Sequence, residues 1–306
     1  MSRRRVAGAL PGTLRSFRRG PGSDLTGLRP YVAGDDVRRI DHRASARVSS
    51  ARGSDEFVVR EDLTEDRGRV VLVVDRRPAM ALSPERLPWL AKPRALAAAG
   101  RLILATALEH RCLVGYLDEA EALHPERARR AAGPFWRPAD GTTESYRVGE
   151  DYLGRRPFHA PADAVARALG FLCTVERGLP SGTYVFVLSD FLAPPPAQAW
   201  SDAIARGWDL VPVVIQDPCW DASFPDVAGC PLPVADETGR TRLVRLGARE
   251  VAARRAANEE RLAGLHAGFS ALGLDWVQLG SDDPLVVHEA FDRWALGRRL
   301  GARIAR

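Results

Sequence analysis

Lysine is nearly missing from this sequence. Of its 306 residues, 44 are lysine or arginine, and Lys92 is the one lysine among them. Against 39 aspartates and glutamates, the formal net charge is +5. An excess this mild does not indicate a nucleic-acid-binding protein, because that function needs basic residues focused in one patch.

Cysteine is also scarce, and long apolar runs are missing. The four cysteines form no CxxC pair and do not lie at zinc-ligand spacing from histidines, which excludes a zinc-finger class of protein. No apolar run reaches the length of about 20 residues that a membrane-spanning helix requires. We therefore expect free thiols and a cytoplasmic protein, with a disordered basic arm at residues 1–20 that holds six arginines and no acid.

Short apolar strands alternate with amphipathic helices from residue 69 onward. The predicted strands are 69–75, 112–118, 183–190, 210–217 and 274–279, and the predicted helices are 92–110, 161–176, 248–272 and 284–300, with a further short helix after three prolines at 194–196. This alternation predicts an α/β fold with a mostly parallel sheet and helices on both faces. Residues 119–160 are predicted to be irregular.

Four of the predicted strands end in aspartate: Asp75, Asp118, Asp190 and Asp217. The carboxyl ends of parallel strands are where ligand sites form in such sheets. Each carboxylate could instead be a helix cap or turn former. Together they favour a metal or phosphate site at this edge.

The region before residue 69 has a different character, with no helical period. Residues 55–66 resemble an acid-rich strand, and 38–50 are predicted to pair with it. We expect three parts: a basic arm at 1–20, a small β-rich or extended appendage at 21–68, and the α/β domain at 69–306.

One block in the appendage, GLRPYVAGDDVRRIDHRASAR at residues 27–47, resembles a known signature. With the later strand RVVLVVDRRPAM, it resembles the bacterial family known as domain of unknown function 58, in which such a block precedes a von Willebrand factor A-type domain. His42 stands where the family usually has tryptophan. The signature residues, which the resemblance implies are structural and docking positions, are Arg29, Tyr31, Gly34, Asp35, Asp36, Arg38, Asp41, Ser45 and Arg47.

The resemblance also implies a place for a divalent metal, the metal-ion-dependent adhesion site with its D-x-S-x-S motif. Here the motif is Asp75-Arg76-Arg77-Pro78-Ala79, with both serines replaced. Asp190 matches the later aspartate of the family, and Thr142 or Thr143 is the candidate threonine. Hydroxyl and carboxylate oxygens suit Mg²⁺, whereas a guanidinium does not. We therefore predict a degenerate site of Asp75, Arg77, Ala79 and Asp190 without metal or other cofactor, in which Arg77 pairs with Asp75 or Asp190.

Three functions remain open. The resemblance implies a non-enzymatic protein-interaction module that acts with a MoxR-type AAA+ ATPase in the assembly, activation or maturation of other proteins. The alternative is a hydrolase that uses Asp41 and His42, with Ser45, or the strand-end aspartates, although no nucleophile elbow, phosphate loop or H-E-x-x-H motif is present. The third is binding of an anionic surface or nucleic acid through the arginine-rich ends, residues 1–20 and 298–306. The mixed charges of the signature block disfavour nucleic acid.

Overall fold

The computed structural model describes residues 16–31, 40–52, 57–66, 68–81, 90–120, 134–140, 147–175, 179–235 and 241–304. These residues divide into two compact units, one that ends at Gly68 and one that begins at Arg69. The prediction of a disordered arm falls largely on residues 1–15, which lie outside the described residues, whereas Ser16 already begins a strand.

The first unit is built on a long antiparallel pair, β1 (Ser16–Pro30) and β2 (Val58–Asp66). The helix α1 (His42–Arg52) follows in the chain after residues 32–39, which lie outside the described residues. The prediction that 38–50 pairs with 55–66 as a strand is therefore wrong: β2 pairs with β1, and most of 38–50 is helical. The helix was overlooked because its serines and valine are weak helix formers, although Asp41 marks its start.

The second unit contains a six-stranded sheet in the order β10-β7-β6-β3-β4-β5. Its strands are β3 (Arg69–Val74), β4 (Leu113–Asp118), β5 (Phe135–Arg137), β6 (Tyr184–Ser189), β7 (Asp209–Ile215) and β10 (Val277–Leu279). All neighbouring pairs are parallel except β4 and the edge strand β5, which run antiparallel. A hairpin of β8 (Pro231–Ala235) and β9 (Thr241–Arg245) lies apart from this sheet.

Helices cover both faces of the sheet. They are α2 (Lys92–Glu109), α3 (Ala164–Thr174), α4 (Ala197–Ala205), α5 (Ala248–Ala271) and α6 (Pro284–Ile304). On one face, alternate strand residues such as Val71 and Val185 pack with α3, α4 and α5 in one buried cluster. On the other, Phe186 contacts Phe291 and Trp294 of α6, with ring centroids 6.4 and 6.0 Å away.

This architecture confirms the predicted α/β fold class, a mostly parallel sheet with helices on both faces, preceded by a small β-rich N-terminal appendage. The inner strands are almost continuously apolar because both of their faces are buried. The region predicted to be irregular, 119–160, contains the strand β5 and a helical segment at 148–155 that begins as a π-helix, Val148–Tyr152.

Candidate functional site at the carboxyl edge of the sheet

The strand order places four aspartates in a row along one edge. Asp217, Asp190 and Asp75 follow β7, β6 and β3, and Asp118 is the last residue of β4. All four are buried, with at most 7% of the residue surface exposed. Burying a carboxylate without a partner is costly, so the groups that neutralise each aspartate decide what this edge can do.

Arg77 contacts two of these aspartates, Asp75 and Asp190, at once. Its Nη2 lies 2.5 Å from Asp75 Oδ2 and 2.9 Å from Asp190 Oδ1. Its Nε donates to both Asp75 oxygens, at 3.0 and 2.9 Å. The predicted pairing of Arg77 is therefore present with both aspartates rather than with one. The Ser189 hydroxyl completes the contact by donating to Asp75 Oδ2 at 2.7 Å.

Local chain geometry turns Arg77 back onto Asp75. The backbone amide of Arg77 donates to Asp75 Oδ1 at 2.9 Å, which is an Asx turn, and a 3₁₀ turn, Pro78–Ala81, follows at once. Ala79 lies in that turn and offers only a methyl group. Burial by itself lowers the pKa of Arg77, but the hydrogen bonds and charge of Asp75, and then those of Asp190, raise it above its ordinary value. The guanidinium therefore stays charged.

Lys92 belongs to this site, although the sequence patterns did not predict it. It is the first residue of α2 and is 2% exposed. Its Nζ lies 3.0 Å from Asp190 Oδ2 and 2.9 Å from Asp221 Oδ2. The available signal was its uniqueness as the one lysine in an arginine-rich chain. Three carboxylates and two cations thus meet at this edge of the sheet. We name this set of residues the carboxylate centre: Asp75, Arg77, Lys92, Asp190 and Asp221.

The loop after β7 holds Asp221 in place. Asp217 accepts backbone hydrogen bonds from Leu90 at 2.8 Å, Cys219 at 2.8 Å and Trp220 at 2.9 Å. Asn258 of α5 donates to the carbonyls of Trp220 and Ser223 at 3.1 and 2.6 Å. Asp221 therefore belongs to a loop tied down on both sides.

The end of β4 is neutralised by a different residue. Arg156 donates two hydrogen bonds to Asp118, from Nε to Oδ2 at 2.8 Å and from Nη2 to Oδ1 at 2.5 Å. Its guanidinium carbon lies 3.9 Å from the centroid of the Phe135 ring on β5. Burial alone lowers the pKa of Arg156, yet the hydrogen bonds and charge of Asp118 raise it above the ordinary value.

These geometries do not fit a divalent cation. All four carboxylate oxygens of Asp75 and Asp190 accept hydrogen bonds from groups of the chain itself. Within the part of the chain that the structure describes, no group of three or more histidine, cysteine, aspartate or glutamate side chains is arranged to hold a metal ion. Thr142 and Thr143, the candidate threonine ligands, lie outside the described residues.

The signature residues that the structure describes mainly form hydrogen bonds with nearby backbone groups of the first unit. Asp41 Oδ1 accepts the amides of Arg43 and Ala44 at 3.0 Å each, which caps α1. The Ser45 hydroxyl donates to the Asp41 carbonyl at 2.7 Å and accepts the amide of Val58 at 2.9 Å, so it links α1 to β2.

The other signature positions are described only in part. Tyr31 is half-buried and its amide donates to the carbonyl of Phe57 at 2.8 Å, while Arg47 is exposed. For Arg29 only the backbone, in β1, is described. Gly34, Asp35, Asp36 and Arg38 lie outside the described residues, so their roles stay predictions.

The fold and this edge define a class: an α/β domain with a mostly parallel sheet whose strand-end aspartates are bound by groups of its own chain. The chain belongs to the family described as protein of unknown function DUF58, whose model matches residues 27–263. This match confirms the family resemblance drawn from the signature block. No helix among the described residues combines the length and apolar character needed to cross a membrane.

Several solved structures are similar to this chain at low identity. Conserved hypothetical protein BatB from Bacteroides thetaiotaomicron is 15% identical with a TM-score of 0.39, over 74% of this chain and 98% of that one. An aerotolerance-related membrane protein from Bacteroides fragilis is 13% identical with a TM-score of 0.37, over 74% and 99%. The pilus adhesin SpaC from Lactobacillus rhamnosus GG is 10% identical with a TM-score of 0.42, over 75% and 30%. No curated protein matches the chain.

Proposed function

We propose that this chain is a non-enzymatic, cytoplasmic protein-interaction module that acts with a MoxR-type AAA+ ATPase in the assembly, activation or maturation of client proteins. The observation that carries the non-enzymatic part is the carboxylate centre. Its aspartates are already bound by Arg77 and Lys92, so they are not poised to accept a proton or to hold a metal. We therefore also propose that the module works without Mg²⁺ or another cofactor.

The hydrolase alternative finds little support at the signature block. Nucleophilic catalysis by Ser45 would need a base within hydrogen-bond reach of its hydroxyl. That hydroxyl instead donates to the Asp41 carbonyl and accepts the amide of Val58, while His42 is exposed. A folding role for these residues accounts for both contacts.

The third function is binding through the arginine-rich ends, and one of the arginines it would use, Arg298, is engaged within the fold. Arg298 Nη2 lies 2.7 Å from both carboxylate oxygens of Asp209, and its guanidinium carbon lies 5.0 Å from the Trp294 ring. A guanidinium engaged in this way is not available to a phosphate. The proposal that this chain binds a protein partner relies on the signature block. The proposal that this partner is an ATPase comes from the family resemblance.

Binding to the purified ATPase tests this proposal directly. We expect measurable binding by biolayer interferometry to a MoxR-type ATPase from the same organism. Arg47→Ala in the signature block should weaken the affinity about 10-fold, as for loss of an interface residue worth about 1.4 kcal/mol. Arg249→Ala, an equally exposed arginine on α5, is the matched control and should leave the affinity unchanged. Equal affinities of wild type and Arg47→Ala would contradict the docking role of the block, and no binding at all would contradict the partner.

A further inference from the structure

The guanidinium of Arg76, the residue after Asp75, forms no ion pair with any carboxylate that the structure describes. Arg76 is 1% exposed. Its Nε and Nη2 donate to the Tyr116 hydroxyl at 3.2 and 3.0 Å, and Nη2 also donates to the carbonyls of Tyr152 and Leu153 at 2.6 and 3.1 Å. The Phe158 ring covers it, with the guanidinium carbon 4.8 Å from the ring centroid. Every one of these partners is electrically neutral.

Two described carboxylates adjoin Arg76, those of Asp75 and Asp118, and both are bound by other residues. Asp75, the preceding residue, is bound by Arg77 and Ser189. Asp118 is linked to Arg76 only through the Tyr116 hydroxyl, which forms hydrogen bonds with both side chains. Asp118 itself is bound by Arg156.

The next acid along the chain, Glu119, pairs with Arg167 at 3.0 Å. Among the side chains that the structure describes, the group of Arg76, Arg156 and Asp118 therefore carries two positive charges and one negative charge. The carbonyls of Tyr152 and Leu153, at the end of a short helical segment, offset only part of that charge.

One nitrogen of Arg76 remains for a ligand. Nη1 donates to none of the residues that the structure describes, so it is the donor left for a ligand. A buried charge with a free donor and an excess of +1 around it favours a monoanion, because charge-assisted hydrogen bonds are strong where water is excluded.

We propose that Arg76 is a carboxylate-binding site, and that its ligand is an aspartate or glutamate side chain of a partner protein. A carboxylate matches the single excess charge, whereas a phosphate dianion would overcompensate it. The Phe158 ring lies over the guanidinium, and a planar carboxylate matches the planar guanidinium. The protein origin of this carboxylate rests on the proposed function, but the anion site itself does not.

An anion titration of the purified chain tests the site without any partner. Thermal unfolding is followed in acetate, in N-acetylglutamate amide and in phosphate, each exchanged for chloride at constant ionic strength. We expect acetate and the blocked glutamate to raise Tm saturably in the wild type and in Arg155→Met, a control arginine whose side chain is 77% exposed. Arg76→Met should lose the shift, and Arg76→Lys should keep a reduced one.

Each other outcome overturns the proposal. A shift that persists in Arg76→Met, or is missing in the wild type, removes Arg76 as the anion site. A shift with phosphate alone assigns the site to phosphate groups. Arg76→Met leaves the carbonyls of Tyr152 and Leu153 without their donor and should lose stability in chloride, so each variant's shift is measured against its own Tm in chloride. If Arg76→Met does not fold, Arg76→Lys decides the test, and an acetate shift in Arg76→Lys as large as that of the wild type overturns the proposal. Failure of ATPase binding with an intact acetate response would instead contradict only the proposed partner.

Discussion

The two neighbouring halves of the sheet edge neutralise their aspartates in different ways. In the carboxylate centre, Arg77 binds the aspartate two residues before it, and three carboxylates meet two cations. At the end of β4, Asp118 is bound by Arg156, 38 residues away in the sequence, and Arg76 is linked to it only through the Tyr116 hydroxyl. The first half has an excess of negative charge and the second an excess of positive charge.

This difference indicates separate roles for the two halves. The carboxylate centre is closed by its own cations, so its charges hold strands β3 and β6 and helix α2 together. In the β4 half, Arg76 Nη1 donates to none of the described residues, which is the basis of the proposed contact with an acidic group. Variants that remove one cation at a time measure how far the two halves differ.

The largest effect is expected from Arg77→Met, which leaves both Asp75 and Asp190 without their shared guanidinium. Breaking a buried ion pair by removing one partner costs about 3–5 kcal/mol. We expect a loss of that size in the free energy of unfolding, measured by urea denaturation. Arg155→Met, which removes an exposed pair with Asp151, is the control and should cost at most about 1 kcal/mol. A loss for Arg77→Met no larger than that of the control would show that the centre is not a stabilising contact.

Lys92→Met and Arg156→Met compare the two halves directly at the next level. Lys92→Met leaves Asp190 with Arg77, and Arg156→Met leaves Asp118 with Tyr116 and the amide of Ala120. Because each aspartate keeps other donors, we expect losses of about 1.5–3 kcal/mol, the range for hydrogen bonds to charged groups. Urea denaturation of the two variants in parallel measures both. A loss for either variant as large as that for Arg77→Met would contradict this ranking.

The two halves of the sheet edge should also differ in metal binding once their own cations are removed. Wild type should show no saturable stabilisation by Mg²⁺ or Mn²⁺ in thermal unfolding, since cations of the chain occupy the centre. The double variant Arg77→Ser, Lys92→Met frees three carboxylates, and we expect it to be stabilised by about 1.4 kcal/mol when the metal is at ten times its dissociation constant.

The matched control for the metal experiment is Arg156→Ser, which frees one carboxylate and should gain no metal response. Saturable stabilisation of the wild type that is lost in Asp75→Ala would overturn the metal-free interpretation of the carboxylate centre.

The smallest effect concerns the pH dependence of stability at the β4 half. Burial raises the pKa of Glu119 above its ordinary 4.5, and the charge of Arg167 offsets this only in part. The folded state therefore binds more protons than the unfolded state just above pH 4.5, and this group's contribution to stability falls as pH rises through that window. We expect Glu119→Gln to make the stability less dependent on pH there, by less than about 1 kcal/mol. Unfolding by urea from pH 4 to 7 measures the difference in slope, and identical slopes would contradict the assignment.

Local patterns account for what could be predicted. The apolar strands that end in aspartate and the amphipathic helices gave the α/β class because both faces of each inner strand had to be buried. Contact of Arg77 with Asp75 was predictable because two residues in a turn can reach each other whatever the rest of the chain does. The edge strand β5 escaped prediction because three residues carry no period, and α1 because its composition favours no helix.

The sequence by itself determined the alternation of strands and helices, the family signature and the replacement of hydroxyls by Arg77 and Ala79. Tertiary structure alone decided that Lys92 and Asp221 complete the carboxylate centre, that Arg156 binds Asp118, and that Arg76 donates to the Tyr116 hydroxyl and two carbonyls. The physical reason is the strand order β7-β6-β3-β4, which differs from the order in the chain. Charges far apart in sequence become neighbours only once crossover helices have placed those strand ends side by side, and no local pattern records which ends will meet.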